Sequence, residues 1–319
     1  MTSEHKPDRR VQSAEPVQPL DGATLNAALD GATLGDAVRA AAQILADAGV
    51  PSPRVDAELL ADHLLGVGLG RLRAMMLGDT PAPEGYAELV AERARRIPLQ
   101  HITGVAHFRY LQLAVGPGVF IPRPETESVV QLVIDRLQEL VASGVRRPRV
   151  VDLGTGSGAI AGSVAHEVPE AEVHAVEFSE FAHAWAAKNL QPLGVSLIRG
   201  DLRDALPEFN GTVDVVVSNP PYIPAEAIPN EPEVALHDPP EALYGGGADG
   251  MELPTAAAAS AARLLVPGGY FVMEHAEVQA AWIASMLART GRWTNISAHL
   301  DLNGKERATS AVLAVPPAE

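Results

Sequence analysis

Val150-Val-Asp-Leu-Gly-Thr-Gly-Ser-Gly158 is the part of the chain from which the fold can be predicted most directly. Its valines and leucine predict a buried strand, and glycines follow without a spacer. Glycines let a backbone pass close to a ligand, and the N-terminus of a following helix offers unpaired N–H groups to that ligand. The stretch therefore predicts a strand, a binding loop and a helix, the unit from which parallel α/β sheets are built.

The alternation of strand and helix continues beyond this stretch. We predict strands at residues 150–153, 173–177, 195–199, 213–218, 270–274 and 308–315, and helices at residues 158–168, 179–190, 255–265 and 278–289, with one more helix after Pro124. Such alternation predicts an α/β fold of the Rossmann-like kind, with a mostly parallel sheet and helices on both faces.

The N-terminal third follows other patterns. Residues 1–32 are polar and contain several prolines, so we predict a disordered tail. Residues 33–100 contain three apolar stretches with helical spacing, which predict a small helical domain. Residues 101–124 include an alternating run that ends at glycines, which predicts a β-hairpin linker. The α/β domain is expected to occupy residues 125–319.

Composition excludes several functions. The 319 residues include 24 basic and 40 acidic side chains, a formal net charge of −16, which disfavours binding to DNA phosphates. There are no cysteines, so disulfides and thiolate metal sites are excluded. His166 and Glu167 lack the second histidine of a zinc motif, and we predict no metal site.

The sequence shows no signal-like or membrane-spanning apolar run, so we expect a cytoplasmic protein. We also expect a monomer, because no apolar surface patch is evident.

The glycine loop favours one kind of ligand. A dinucleotide site would carry G-x-G-x-x-G, whereas Gly154–Gly158 has the pattern G-x-G-x-G, preceded by Asp152. A carboxylate there suits a cationic group, such as the ammonium of a methionine moiety, and would repel a pyrophosphate. Glu177 ends the second strand and can accept ribose hydroxyls, and Asp201 follows the third and could bind an adenine amino group. These groups outline S-adenosylmethionine, with NAD as the alternative.

The fourth strand ends in Asn219-Pro220-Pro221-Tyr222. Neither proline has an N–H, so the turn presents carbonyl groups, and each proline restricts the residue before it to an extended shape. The side-chain carbonyl of Asn219 and the backbone carbonyl of Pro220 can each accept one N–H of a planar –NH₂. Tyr222 can pack against the planar group and favour positive charge there. We therefore predict a methyltransferase that acts on nitrogen, with Asn219, Pro220 and Tyr222 as catalytic residues.

Two further stretches of sequence, together with the glycine loop and the Asn219–Tyr222 turn, give the chain a resemblance to a known family, the release factor glutamine methyltransferases. These are Arg96-Ile-Pro-Leu-Gln-His-Ile-Thr-Gly104 and Phe120-Ile-Pro-Arg-Pro-Glu-Thr-Glu127. The resemblance covers the chain from about residue 33 to its C-terminus. It implies a class I methyltransferase fold with a seven-stranded sheet, preceded by a small helical domain and a hairpin.

The resemblance also implies a reaction, N5-methylation of the glutamine in the Gly-Gly-Gln motif of peptide chain release factors 1 and 2, with S-adenosylhomocysteine as the second product. The helical domain would engage the release factor. Asn219 to Tyr222 would hold the substrate glutamine. Residues implied or predicted to bind S-adenosylmethionine are Asp152, Gly154, Thr155, Gly156, Ser157, Gly158, Glu177, Asp201, Leu202 and Asn219.

Three other functions remain open from the residues. The Asn219–Tyr222 turn could hold the exocyclic amine of adenine in DNA, although the chain lacks a basic recognition domain for base flipping. The chain could also be a paralogue that methylates another protein. A non-catalytic protein that binds S-adenosylmethionine is the third alternative, but loss of catalysis should have degraded the turn, which is intact.

Overall fold

A computed structural model describes Leu29 and residues 31–315 of the chain. The predicted tail, residues 1–32, lies almost wholly outside the described residues. Contacts between residues divide the chain into two compact units, the first ending at Leu99 and the second beginning at Gln100.

The first unit is helical. Thr33 caps its first helix, because the Thr33 hydroxyl accepts a hydrogen bond from the Asp36 N–H. We predicted three helices in this region, and the described residues form four. The additional one, α3, lies among Gly66, Gly68 and Gly70 and buries only Leu72, so it lacks an apolar pattern. The helices are α1 Leu34–Asp47, α2 Pro53–Leu65, α3 Leu69–Met75 and α4 Tyr86–Ala94.

Polar contacts as well as apolar packing join α2 to α4. The Tyr86 hydroxyl donates to the Ala57 carbonyl over 2.8 Å. Arg93 Nε donates to Asp56 Oδ2 over 2.7 Å, and both side chains are buried. Because a buried charge is costly without a partner, this ion pair fixes how the two helices meet.

The second unit begins with a short helix and a β-hairpin and continues into an α/β sheet. Its helices are α5 Leu99–Thr103, which starts one residue before the division, α6 Thr126–Ala142, α7 Ala159–Glu167, α8 Glu180–Leu190, α9 Pro232–His237, α10 Pro240–Leu243, α11 Glu252–Leu264 and α12 Ala280–Arg289. Its strands are β1 Val105–Phe108, β2 Leu111–Ala114, β3 Arg149–Leu153, β4 Glu172–Glu177, β5 Ser196–Arg199, β6 Val213–Ser218, β7 Leu265–Glu274, β8 Trp293–Leu300 and β9 Glu306–Leu313.

The main sheet has seven strands in the order β5-β4-β3-β6-β7-β9-β8. Strands β3 to β7 are parallel, and β9 runs antiparallel to both β7 and β8. This confirms the Rossmann-like methyltransferase fold and the predicted alternation of strands and helices. Residue pattern did not predict β8, because this edge strand is mostly exposed and polar and its register shifts near Asn295, where φ is 49°.

Two apolar clusters cover the two faces of the sheet. Alternate residues of β3 point to opposite faces, Val150 into one cluster and Val151 into the other. Helices α6, α7 and α8 and the hairpin cover the first face, and α11 and α12 cover the second. The hairpin is part of this core, because Phe108 and Leu113 are buried in it. Both faces are therefore sealed, and ligand access is left at the strand ends.

Candidate active site

The carboxyl ends of the parallel strands lie at one edge of the sheet. Leu153, the last residue of β3, is level with Val176 of β4 and Ser218 of β6. Ser218 is in turn level with Met273 of β7. The loops that follow these four strands therefore leave the sheet side by side, where open α/β sheets bind ligands.

A cavity of about 830 Å³ opens at this edge, within the range of small-molecule sites. The structure brings ten of the thirteen predicted site residues to its wall, and the other three, Asp152, Gly158 and Pro220, do not line it. The ten that do are Gly154, Thr155, Gly156, Ser157, Glu177, Asp201, Leu202, Asn219, Pro221 and Tyr222.

The glycine loop and Glu177 hold each other in place. The Gly156 N–H donates to Glu177 Oε2 over 2.7 Å, and the Ser179 N–H donates to Oε1 over 2.8 Å. Burial raises the pKa of Glu177, and these two backbone hydrogen bonds oppose the rise. Gly154 and Gly156 have φ values of 79° and 58°, and a Cβ on either would meet no atom within 4 Å. The loop therefore needs glycine for its backbone and leaves open space beside it.

The third acid of the predicted cofactor outline lies where β5 ends. Asp201 accepts a hydrogen bond from the Arg203 N–H over 2.9 Å, and its second oxygen accepts one from the Arg203 guanidinium over 2.8 Å. Leu202 is 8% exposed and gives the same wall an apolar surface. An acceptor beside an apolar side chain suits an aromatic ring that carries an amino group.

Asp152 lies behind the glycine loop. Its side chain is fully buried, and Oδ2 accepts hydrogen bonds from the Thr155 hydroxyl over 2.6 Å and from the Ala161 N–H over 3.2 Å. Oδ1 is without a partner among the residues that the structure describes. Burial raises the pKa of Asp152 to about 7. The carboxyl thus supports the loop, and its contact with a ligand ammonium stays a prediction.

We expect Asp152→Asn to stabilise the ligand-free protein at pH 8. The pKa of Asp152 is raised from 3.8, so the stability that it contributes below that value is lost as the pH rises through about 7. Asparagine keeps an acceptor for Thr155 and Ala161 and removes the buried charge. The rise in Tm over wild type, measured by calorimetry, should be larger at pH 8 than at pH 5. An equal rise at both pH values would contradict the raised pKa, and the other buried carboxyls, common to both proteins, serve as the internal control.

The turn after β6 is anchored on three sides. The Ser218 hydroxyl donates to the Leu153 carbonyl over 2.6 Å. Asn219 Nδ2 donates to Thr126 Oγ1 over 3.4 Å, and Gln279 Nε2 donates to the Tyr222 carbonyl over 2.8 Å. Burial raises the pKa of Tyr222 to about 12, so its phenol is neutral. The turn is thus a fixed wall that presents the Asn219 amide and a neutral aromatic ring.

Sequence reasoning did not give Glu274 a role at the site. It is the last residue of β7, is 3% exposed and lines the cavity near Asn219 and Tyr222. Burial raises its pKa to about 7, while the Thr126 hydroxyl and the nearby Arg307 oppose this rise. Its position in the sequence could have indicated Glu274, because the other three candidate acids, Asp152, Glu177 and Asp201, also lie at or near the ends of strands of this sheet.

The stretch from Phe120 to Glu127 forms another part of the wall. Arg123 lies over the Phe120 ring, with 4.8 Å from its guanidinium carbon to the ring centre, and donates to Asp238 Oδ2 over 2.7 Å. The Asp238 side chain is 1% exposed, and burial raises its pKa to about 6 against the opposing charge of Arg123. This ion pair joins the stretch to the segment of α9 and α10, which follows the Asn219–Tyr222 turn and also lines the cavity.

The described part of the chain shows neither a metal-ligand cluster nor a membrane-spanning helix. Within Leu29 and residues 31–315, no group of three or more potential ligands is arranged to hold a metal ion. No helix in that part of the chain combines the length and the apolar character needed to cross a membrane.

Comparison with known families shows two matching models. Residues 36–104 match the PrmC N-terminal domain, and residues 111–248 match the methyltransferase small domain. The first match covers most of the helical unit and α5, and the second runs from β2 of the hairpin through β6, α9 and α10.

Curated relatives match over most of the chain. A release factor glutamine methyltransferase from Streptomyces coelicolor is 50% identical, covering 88% of this chain and 98% of its own. One from Mycolicibacterium smegmatis is 47% identical, covering 86% and 96%. A 4-amino-L-phenylalanine/4-methylamino-L-phenylalanine methyltransferase from Streptomyces pristinaespiralis is 41% identical, covering 82% and 87%. All three names describe methyl transfer, and two of them specify the same substrate.

Proposed function

Because this chain belongs to the family of release factor glutamine methyltransferases, we propose that it transfers a methyl group from S-adenosylmethionine to the side-chain amide N5 of the glutamine in the Gly-Gly-Gln motif of peptide chain release factors. One observation in the structure carries the proposal. The glycine loop and the turn that begins at Asn219 line one cavity, so a methyl donor and an amide can meet there.

The residues present fit S-adenosylmethionine. This molecule supplies an electrophilic methyl group on a positively charged sulfur. The open space beside Gly154 and Gly156 admits its amino-acid end, and Glu177 can accept ribose hydroxyls. Asp201 and Leu202 suit the adenine. Asp152 and Gly158 support the loop and do not line the cavity, and their contact with the ligand stays a prediction. The other proposed contacts are Gly154, Thr155, Gly156, Ser157, Glu177, Asp201, Leu202 and Asn219.

The Asn219–Tyr222 turn would hold the substrate amide. An amide nitrogen is a poor nucleophile because its lone pair is delocalised. The Asn219 side-chain carbonyl can accept one of its N–H groups, and we propose the Pro220 backbone carbonyl for the other, although Pro220 does not line the cavity. Two such bonds aim the nitrogen at the methyl group and favour the positive charge that develops during transfer. Tyr222, neutral and half-buried, would exclude water from the reacting atoms.

The domain roles are also proposals. We propose that residues 33–100 engage the release factor, that residues 101–124 link the two parts, and that residues 125–319 carry catalysis. Release factors 1 and 2 are the proposed substrates of a monomer that works in the cytoplasm. Adenine in DNA is not favoured as a substrate, because the net charge of −16 opposes phosphate binding.

A second candidate substrate is a small aromatic amine. The relative from Streptomyces pristinaespiralis is named for methylation of 4-amino-L-phenylalanine, and it is 41% identical. An aniline –NH₂ is planar and could meet the same acceptors in the turn. We favour the release factor, since the relatives that are 50% and 47% identical to this chain are both named for that substrate.

One assay separates these substrates. The protein is incubated with S-adenosylmethionine labelled in its methyl group and with a release factor, its Gln→Ala variant, 4-amino-L-phenylalanine or duplex DNA. We expect label only on the unaltered factor, on the glutamine of the Gly-Gly-Gln motif when digested peptides are analysed by mass spectrometry. Equal labelling of the Gln→Ala factor would refute the proposed site of methylation, and label on the amino acid alone would establish the second candidate.

A further inference from the structure

Glu274 is a buried acid that the proposed chemistry has not used. It is 3% exposed and lines the cavity, yet its Oε2 atom is without a hydrogen-bond partner in the described part of the chain. Burying a carboxylate oxygen without a full set of partners is costly. A carboxyl group that is buried in the wall of a ligand site despite this unfavourable free energy is a candidate functional residue.

The neighbours of Glu274 include the side-chain amide of Asn219. Ser218 of β6 is level with Met273 of β7, so Asn219 and Glu274 lie next to each other at the ends of the two strands. Asn219 Nδ2 donates to Thr126 Oγ1 over 3.4 Å. Interactions with the side chains of Thr126 and Asn219 oppose the rise in the pKa of Glu274 and so favour its ionised form. The two ends of an asparagine amide are nearly equal in size, so its orientation is decided by its partners. An ionised carboxylate can only accept hydrogen bonds and therefore selects the –NH₂ end.

We propose that Glu274 is a positioning residue: with Thr126 it holds the –NH₂ of Asn219, so that Oδ1 of Asn219 is the atom left to accept an N–H from the substrate amide. The inference rests on the proposed function and adds a residue to it. Without Glu274 the Asn219 amide could turn over, and its –NH₂ would then face the substrate –NH₂, donor against donor.

The proton on Glu274 should therefore matter. Protonated, Glu274 carries an O–H that can donate to Oδ1 of Asn219, and the orienting effect is lost. The charged and titratable groups around it are Arg307 of β9, Glu125 before α6, and Tyr222 of the turn. Burial is the largest influence and raises the pKa of Glu274 to about 7, which places the protonation change within an accessible pH range.

The kinetic test uses Glu274→Gln with Glu277→Gln as its matched control. Glu277 is exposed, lies three residues away and does not line the cavity. We expect Glu274→Gln to lower kcat up to about 100-fold, with the KM for release factor and the Kd for S-adenosylmethionine changed less than about threefold. Wild-type kcat should fall as the pH drops through about 7, and the variant should lack this step. Glu277→Gln should behave as wild type.

Unchanged kcat and an unchanged pH profile in Glu274→Gln would overturn the inference. Circular dichroism and Tm would show whether the variant is folded. Thr126→Val, which removes the other acceptor of the Asn219 –NH₂, gives a second route to the same measurement, with a smaller expected loss of kcat. If only KM changes in both variants, Glu274 acts in substrate binding and the positioning role is refuted.

A spectroscopic test needs no substrate and so separates this inference from the proposed function. In protein labelled with ¹⁵N-asparagine, the Asn219 side-chain –NH₂ signals are identified by their absence in Asn219→Asp. We expect them to shift with a midpoint near pH 7 in wild type and to lose that titration in Glu274→Gln. Signals that do not titrate in wild type would refute the inference, even if release factor is methylated. Titrating signals with no methylation of any factor would instead sink the proposed function alone.

Discussion

Replacing Asn219 with alanine is expected to lower kcat for methyl transfer on the order of 100- to 1000-fold, the range seen when one positioned hydrogen-bonding group is removed from an active site. Alanine removes the side-chain acceptor, so one N–H of the substrate amide would be left without a hydrogen bond. The nitrogen would then no longer be held in line with the methyl group. The turn itself should persist, because the anchors on Ser218 and Tyr222 do not involve the Asn219 side chain.

Single-turnover measurements with a release factor at saturating S-adenosylmethionine test this expectation. Asn303→Ala is the matched control, because Asn303 is exposed and does not line the cavity. Calorimetric titration with S-adenosylmethionine shows how far cofactor binding also depends on Asn219. Retention of more than a tenth of wild-type kcat would rule out the Asn219 carbonyl as a main support of the transferring nitrogen.

Gly245→Ala is expected to cause a comparably large loss of methyl transfer, although residue 245 has no chemistry of its own. A Cβ at Gly245 would lie 2.6 Å from the carbonyl oxygen of Pro221, and closer still to that of Gly250. Both neighbours are backbone atoms, so the turn that we propose to hold the substrate amide must shift. A displacement of about 1 Å at a reacting group can cost on the order of 100-fold in rate.

Gly70→Ala is the control for this variant. Gly70 is in helix α3, and a Cβ there would meet nothing within 4 Å. Alanine is favoured over glycine in a helix by about 1 kcal/mol, so Gly70→Ala should keep its activity and have a Tm equal to or above that of wild type. We expect Gly245→Ala to lower both kcat and Tm. Wild-type kinetics in Gly245→Ala would show that the turn tolerates displacement and is not a fixed wall.

The local sequence pattern predicted those parts of the protein in which a single physical requirement, such as burial or a left-handed backbone angle, determines the residue type. The valine-rich strands β3 and β6 are buried on both faces, so composition alone indicated them. The glycines after β3 have left-handed backbone angles that other residues rarely adopt. Strand β8 lacks such a signature, since most of its side chains are exposed at the sheet edge and it bends at Asn295.

The local sequence pattern could not predict contacts between segments that are far apart in the chain. The wall of the cavity joins Thr126, Asn219 and Glu274, which are far apart in sequence and meet only because β6 and β7 are adjacent and α6 packs on the sheet. The ion pair of Arg123 and Asp238 likewise depends on where α9 and α10 return to the cavity. Residue types suggested candidates, and the topology decided which of them act together.

The sheet order has a consequence for the order of folding. Strand β9 is the last described element of the chain, yet it lies inside the sheet, between β7 and β8. During synthesis β8 emerges earlier and has no strand to pair with until β9 is available, because its described partner is β9. The exposed flank of β7 would stay open as a template for unwanted pairing in the interval. Since β9 also contributes Arg307 to the cavity wall, we expect the sheet and the wall of the proposed active site to be completed together, late in folding.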